Sequence, residues 1–278
     1  PSAPQTEIPR PSIASRPRPS PRAENVHDNE ATISGSVKKV VFQSGEVVLR
    51  LAQPLADGRE NIVGVTIPGG RIEGTPVSLG QGDQVQVSGY LTDAPQRVPL
   101  STILERMRLP DRAQPGDDKL VVGHITTRLV ARSFERVAAD HPPLNVVRLG
   151  GVIHKFYPAK ADTIVRLDIY DRHTQVVEHN DRVGLPHRQA HHVSLRLIGG
   201  QALDGHKPHL TARRQVVAVG ALRQYLYSES LKKILMRARQ FSRILDGDDE
   251  RFITLEAFYV VVQSAIYPDV FINPLEAV

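Results

Sequence analysis

The sequence predicts a mainly β protein: two tandem five-stranded barrels, a C-terminal helix, and a disordered arm rich in proline and arginine before them. Three observations predict it. First, Gly82-Asp-Gln-Val85-Gln-Val87-Ser-Gly89-Tyr-Leu91 reads G-x-x-V-x-V-x-G-x-L. This is a period-2 apolar run ending on a glycine, which removes a side chain where a small barrel must bend sharply. Second, the same frame returns as Val216-Val-Ala218-Val-Gly220-Ala-Leu222. Third, related elements open each copy, Ile33-Ser-Gly35-Ser-Val37 and Asn145-Val-Val147-Arg-Leu149-Gly-Gly151-Val-Ile153. The copies lie far apart in the chain, as in a duplicated domain and unlike a short solenoid repeat.

The arm covers residues 1–30. Its first 23 residues hold seven prolines, four serines and four arginines, too little apolar surface to fold alone. Residues 31–139 form the first barrel. Its strands are Ile33–Phe42, Val47–Leu51, Asn61–Ile67, Gly82–Leu91 and Lys119–Arg128, with a turn at Gln43-Ser-Gly45 and a stop at Pro68-Gly69-Gly70. A polar excursion over 92–118 carries a short helix, Ser101 to Arg108, and Leu129–Ala139 reads as a second helical stretch. Asp140-His-Pro142-Pro143 is a stiff boundary, since consecutive prolines block a helix. The second barrel spans 144–227, with strands Asn145–His154, Thr163–Tyr170, His192–Ile198 and Gln215–Leu222 and a histidine-rich loop from Asp171 to His191. In residues 228–278, Leu231, Ile234, Leu235, Ala238, Phe241, Ile244 and Leu245 repeat with helical period behind Ser228 or Ser230 as N-cap. Phe252–Ile266 is an apolar block too hydrophobic to sit in water, which must pack on that helix or against another subunit.

Composition narrows the function. With no cysteine among 278 residues, disulfides, thiolate chemistry and sulfur-ligated zinc are excluded. No apolar run reaches the ~18 residues that a spanning helix needs, so no membrane association is expected. The net charge of +5 is uneven: residues 131–240 hold 18 basic and 9 acidic residues, while 241–278 hold 2 and 7. Such concentration favours a polyanionic partner. No nucleophile elbow, phosphate-cradling glycine loop or H-E-x-x-H helix is present, so no enzymatic activity and no cofactor are expected. Eight of eleven histidines lie between His154 and His209, but His187-x-x-x-His191-His192 follows Pro186 and leads into a β pattern, against a helical metal site.

The residues Asn145, Val147, Leu149, Gly151 and Ile153 match the frame N-x-V-x-L-x-G-x-[LIV]. In this the chain resembles the bacterial and mitochondrial single-stranded DNA-binding proteins, whose domain is an OB-fold. Gly82–Leu91 is similar to the family's G-x-x-V-x-V-x-G-x-L strand, Gly199-Gly-Gln-Ala202 to its later G-x-x-A, and Arg223-Gln-Tyr225 to its R-x-[WY]. The resemblance covers both barrels and neither tail. It implies single-strand binding, oligomers, and a cytoplasmic or nucleoid location, with the mitochondrial matrix as the alternative. The chain has no tryptophan, so tyrosine and phenylalanine must supply any base stacking, and the family's acidic C-terminal tip is missing.

Alternation in the second barrel separates its faces. With Val147, Leu149, Val165, Leu167, Leu195 and Leu197 inward, Arg148, Arg166, Arg196 and Tyr170 fall on the outer face. Lys155, Phe156, Arg172, Arg213, Arg214, Arg223 and Tyr225 lie on or beside it. Cations for phosphates beside aromatic platforms for bases are what OB-folds use on single strands. The expected function is therefore single-stranded nucleic-acid binding, DNA favoured and RNA open, through the second barrel. The alternative is a structural OB-fold subunit of a larger ribonucleoprotein complex. A homo-oligomer or protein contact is expected through residues 252–266.

Overall fold

The structure is a computed structural model and describes residues 27–43, 45–110, 113, 115–158, 162–170, 176–177, 187–188, 190–198, 210–237 and 258–272. The arm up to residue 26, Arg172 and most of the histidine-rich loop, Gly199–Ala202 and the stretches 238–257 and 273–278 lie outside the described residues.

Strand β1 (Asp28–Gln43) leads into β2 (Glu46–Pro54) and β3 (Glu60–Pro68), and a two-residue pair, β4 (Arg71–Ile72) with β5 (Thr75–Pro76), follows. Strand β6 (Gln84–Pro99) and β7 (Val121–Arg136) flank helix α1 (Leu100–Arg106). The second half opens with β8 (Asn145–Pro158) and β9 (Asp162–Ile169). Then come the short β10 (Val176–Val177) and β11 (His187–Arg188), and β12 (His191–Ile198). Strand β13 (Gln215–Ser230) and β14 (Phe258–Ile272) flank helix α2 (Leu231–Arg237).

Pairing closes two five-strand rings, β1-β2-β3-β7-β6 and β8-β9-β12-β14-β13, with β1–β6 and β13–β8 as the closing contacts. Each has antiparallel neighbours apart from one parallel pair, β3–β7 at Val65↔Leu129 and β12–β14 at Leu195↔Ile266. This is the OB-fold-like mainly-β class. The inward residues are the alternating ones: Val85, Val87, Leu91, Val147, Leu149, Ile153, Val165, Leu167, Val216, Ala218 and Leu222 are fully buried.

Gly89 and Gly220 sit where β6 and β13 shift register against β7 and β14. A β-carbon at either would run into a backbone carbonyl, of Val130 or of Tyr267. Only a glycine lets the neighbouring strand pass so closely.

Several elements differ from the sequence reading. Strand β1 starts at Asp28, so Asp28-Asn29-Glu30 belongs to the ladder. The stretch 129–136, read as helical, is strand: Leu129, Val130 and Ala131 are all buried, so the alternation that signals a strand disappears. Strands β6 and β13 run on to Pro99 and Ser230, so Ser228 lies within β13 and Ser230 is both its last residue and the one directly before α2. The ring of the second half is closed by β14, from the C-terminal segment that the sequence reading sets outside the barrel.

Asn29 and Asn145 perform the same task in the two rings. Asn29 Nδ2 donates to the Leu91 carbonyl (2.9 Å) and its Oδ1 accepts from the Leu91 N–H (2.8 Å). Asn145 does the same with Leu222, at 2.8 and 2.9 Å. Each amide replaces a missing rung where the ladder turns away, so the backbone groups of Leu91 and Leu222 are paired.

The rings join in two places. Residues Asp28–Ile33 of β1 pair antiparallel with Asn145–Gly150 of β8, so one sheet runs through both rings. Behind that seam Gln53 is buried and satisfied on both ends. It donates to the carbonyls of Ser34 (2.7 Å) and Leu144 (2.8 Å) and accepts from Asn61 (3.0 Å) and Asn145 (2.7 Å). The β6–β7 and β13–β14 hairpins also overrun their rings and pack on each other. Val98, Leu100, Ile103, Leu104 and Val122 meet Leu231, Ile234, Leu235, Tyr259 and Val261. The helices repeat one pattern, Leu100-x-x-Ile103-Leu104 and Leu231-x-x-Ile234-Leu235, whose buried residues share one face. Among the described residues no helix is long and apolar enough to cross a membrane.

Candidate nucleic-acid interface

The outer face of β8, β9 and β12 carries two rows of side chains set by strand register. One is Lys155–Arg166–Ser194 and the next is Tyr157–Ile164–Arg196. Residues directly opposite on antiparallel strands share a face, so three cations and an aromatic converge there. Tyr225 and Tyr267 come over it from β13 and β14. The Arg196 guanidinium lies 4.0 Å from the Tyr225 ring centroid and 6.0 Å from that of Tyr267. It also pairs with the Asp162 carboxylate. The Lys155 ammonium sits 5.3 Å from the Tyr157 ring centroid. Tyr157 is exposed on this face, whereas Phe156 pairs with the inward Val165 and, contrary to the sequence reading, falls on the opposite face, because the register shift between Ile153 and Lys155 reverses the alternation.

The electrostatics of this face follow from burial. Burial pushes the Tyr225 hydroxyl up to about 12 against the pull of Arg196, and raises Tyr267 for the same reason. Both therefore stay neutral phenols, and Tyr225 donates to Gln263 Oε1 at 2.7 Å. Asp93 reaches across from β6 and accepts from the Ser194 N–H (3.1 Å), the Ser194 hydroxyl (2.6 Å) and the Thr127 hydroxyl (2.6 Å). Burial raises its carboxyl, opposed by those hydrogen bonds and by Arg166.

The remaining site residues of the sequence reading lie apart. Arg148 is exposed but donates to Asp28 at 2.8 Å, in the half of β8 that pairs with β1. It does not join Arg166 and Arg196. Tyr170 packs edge-on to His27, with ring centroids 5.5 Å apart. Arg213 holds a left-handed turn (φ 65°) before β13, bonded through its backbone to Ile153, and Arg214 follows it. Arg223 is exposed on β13, and its charge is felt at the Tyr267 hydroxyl. Tyr267 escaped the sequence reading because Pro268 beside it looks like a strand break.

A second polar group stands at the end of the same face. Asp168 accepts from His154 Nδ1 (2.9 Å) and His192 Nδ1 (2.7 Å). Both rings thus turn Nδ1 to the one carboxylate. Among the described residues no group of three such side chains could hold a metal ion.

No protein-family model matches the chain, and no curated protein matches it. Solved structures do. A deletion variant of the single-stranded DNA-binding protein from Thermus aquaticus is 14% identical, covering 91% of this chain and 97% of its own, with a TM-score of 0.46. The wild-type protein from the same organism is 15% identical, covers 89% and 93%, and has a TM-score of 0.45. The N-terminal domain of PriB from Thermoanaerobacter tencongensis is 16% identical over 40% of this chain and 97% of its own, with a TM-score of 0.23. At these values the likenesses carry no functional argument; the fold stands on the strand order and pairing described above.

Proposed function

We propose that this chain binds single-stranded nucleic acid across the outer face of β8, β9 and β12, with DNA favoured over RNA. The observation that carries the reading is the interleaving there of Lys155, Arg166 and Arg196 with Tyr157, Tyr225 and Tyr267. Arg166, Lys155 and Arg223 would neutralise phosphates, while Tyr157 offers an exposed ring to bases. Stacking of a base on an aromatic is worth ~1–3 kcal/mol, which any base can gain, so such a face grips a strand with little regard to sequence. The preference for DNA rests on the family resemblance, which also implies a cytoplasmic or nucleoid location, with the mitochondrial matrix as the alternative. This binding role needs no cofactor and no catalytic group.

Fluorescence anisotropy with labelled oligo(dT), oligo(U) and duplex at two salt concentrations tests it. Charge reversal at Lys155 and Arg166 is expected to flatten the log K against log salt slope by ~0.7 per lost phosphate contact. Duplex bound as tightly as oligo(dT), or a slope that both reversals leave unchanged, would sink the reading.

A second reading, a subunit of a larger ribonucleoprotein assembly or a homo-oligomer, is favoured by one observation. On the β13–β14 hairpin Leu226 opposes Val262 and Phe258 stands two positions from Val260, all on one face and 41–67% exposed. Apolar faces of this kind mark contact sites. Light scattering of the full chain, with Leu226→Ser and Val260→Ser as the variant pair, separates self-association from a monomer.

A further inference from the structure

The two rings can be superposed residue by residue through their own registers. The parallel pairs make Val65 the counterpart of Leu195 and Leu129 that of Ile266. The shared glycines make Gly89 the counterpart of Gly220. It follows that Arg50 stands where Arg166 does, while Thr66, Ala94 and Val130 replace Arg196, Tyr225 and Tyr267. The large side chains that fill the outer face of the second ring are thus small in the first.

The space they leave is a cleft of about 380 Å³ between β2, β3, the β6–β7 hairpin and the edge of β13–β14. That is within the ~300–1,000 Å³ range of small-ligand sites. One wall is apolar, with Val48, Ile62 and Pro95. The rim carries Arg50, Arg97 and Arg128, against one carboxylate, Glu46, which lies 3.6 Å from Arg128. Arg50 and Arg97 are exposed and have no ion-pair partner among the described residues. Inside, Thr66 is 1% exposed, and its Oγ1 has no hydrogen-bond partner; the Arg128 Nε is likewise buried and unpaired. Buried polar atoms are almost always satisfied, so two unsatisfied ones lining a single cleft mark the place of an absent partner.

We propose that this cleft receives one nucleotide unit: a base against Val48, Ile62 and Pro95 with an edge bonded to Thr66 Oγ1, and its phosphate held at the arginine rim. The inference rests on the strand-binding reading above and extends it to the first ring. The unit could belong to a bound strand or be a free mononucleotide. Apolar wall, buried hydroxyl and cationic rim are the three features such a unit needs, and a bare anion would use only the last.

The test uses the full chain, 4-thiothymidine-substituted oligo(dT) for photo-crosslinking, and dTMP observed by saturation-transfer NMR. The variants are Thr66→Val and the pair Arg50→Glu with Arg97→Glu. Crosslinks are expected at residues 62–66 or 94–97, and the arginine pair should flatten the salt slope by about 1.4, at ~0.7 per contact. Thr66→Val should leave the thermal midpoint unchanged or higher, because it removes an unsatisfied buried hydroxyl, while weakening the oligonucleotide severalfold. Tight wild-type binding with crosslinks only around Lys155–Tyr157 and an unchanged slope would overturn the cleft and leave the second ring's role standing. If the wild type binds no strand, the strand-binding reading fails. The cleft then stands as a mononucleotide site if dTMP transfer is seen and disappears in the arginine pair, and falls if the wild type shows no transfer.

Discussion

The two rings have the same strand order and the same glycine bulge, yet their outer faces have gone opposite ways. The second stacks Tyr225 and Tyr267 around Arg196 and fills its groove from within. The first has Thr66, Ala94 and Val130 at the matching places and leaves the groove open. The cores hardly differ, since Val63, Val65 and Ile67 are as buried as Val193, Leu195 and Leu197. Inward residues are held to a period by packing density, whereas outward ones are free to take up separate tasks.

The sharpest way to break the comparison is to cut the rings apart. The first ring is complete by Arg136, but the second needs β14, which ends at Ile272. A fragment of residues 140–245 is therefore expected to show no cooperative urea transition, because β12 and β13 each lose a whole partner strand. A fragment extended to residue 272 should recover one. A cooperative transition in the shorter piece would mean that β14 is dispensable to the ring.

The next effect concerns the paired asparagines. Asn29→Ala leaves the Leu91 N–H and carbonyl buried without partners, an expected loss of about 2–4 kcal/mol. Asn145→Ala does the same at Leu222 and also removes a donor from Gln53, so it should cost about 1 kcal/mol more. Equal losses in denaturant titrations would show that the Gln53 node does not couple the rings.

The smallest effect is a pH dependence at the hairpin junction. His124 is 3% exposed, and burial lowers its pKa, aided by Arg237 and opposed by Glu229. Above the unfolded histidine value of about 6.5 the ring is neutral in both states and affects nothing. As pH falls below that, the unfolded chain takes up the proton first, so stability declines until the folded pKa is passed. His124→Gln should remove this part of the acid slope. Asp93 acts with opposite sign, since its raised pKa gives stability at low pH that is lost as pH climbs through the folded value. Asp93→Asn in both backgrounds separates the two, and an acid slope unchanged by His124→Gln would place the sensitivity elsewhere.

How much was readable in the sequence depended on whether one face or two were covered. Where a strand has a core side and a wet side, as in β8 and β9, alternation gave both the strand and the inward set. Where both sides are apolar the period vanished. Val260 and Val262 are exposed yet hydrophobic, while Tyr259 and Val261 between them are buried under the helices, so β14 read as an apolar block of no definite type. Asn29 stayed hidden because Asp28-Asn29-Glu30, polar throughout, falls in the arm of the sequence reading. For the site, the cationic residues were visible as outward positions. That Arg166 and Arg196 adjoin Lys155 while Arg148 is tied to Asp28 depends on pairing between strands distant in sequence, which no local pattern encodes.

Closure of the second ring by its last strand has a consequence for synthesis. The first ring can form once residue 136 has left the ribosome, but the second must wait for β14, which ends at Ile272, a delay of roughly 7–27 s at ~5–20 residues per second. During that time β12 and β13 have bare edges and the groove of Val216, Ala218 and Leu222 lacks its lid. Such edges are templates for pairing with another chain. The finished first ring offers a remedy, because residues 28–33 of β1 are free to capture β8 as it emerges and hold the growing half beside a folded partner. The seam between the rings is then a nascent-chain scaffold, and weakening it should lower the yield of folded protein in cells more than it lowers the stability of what does fold.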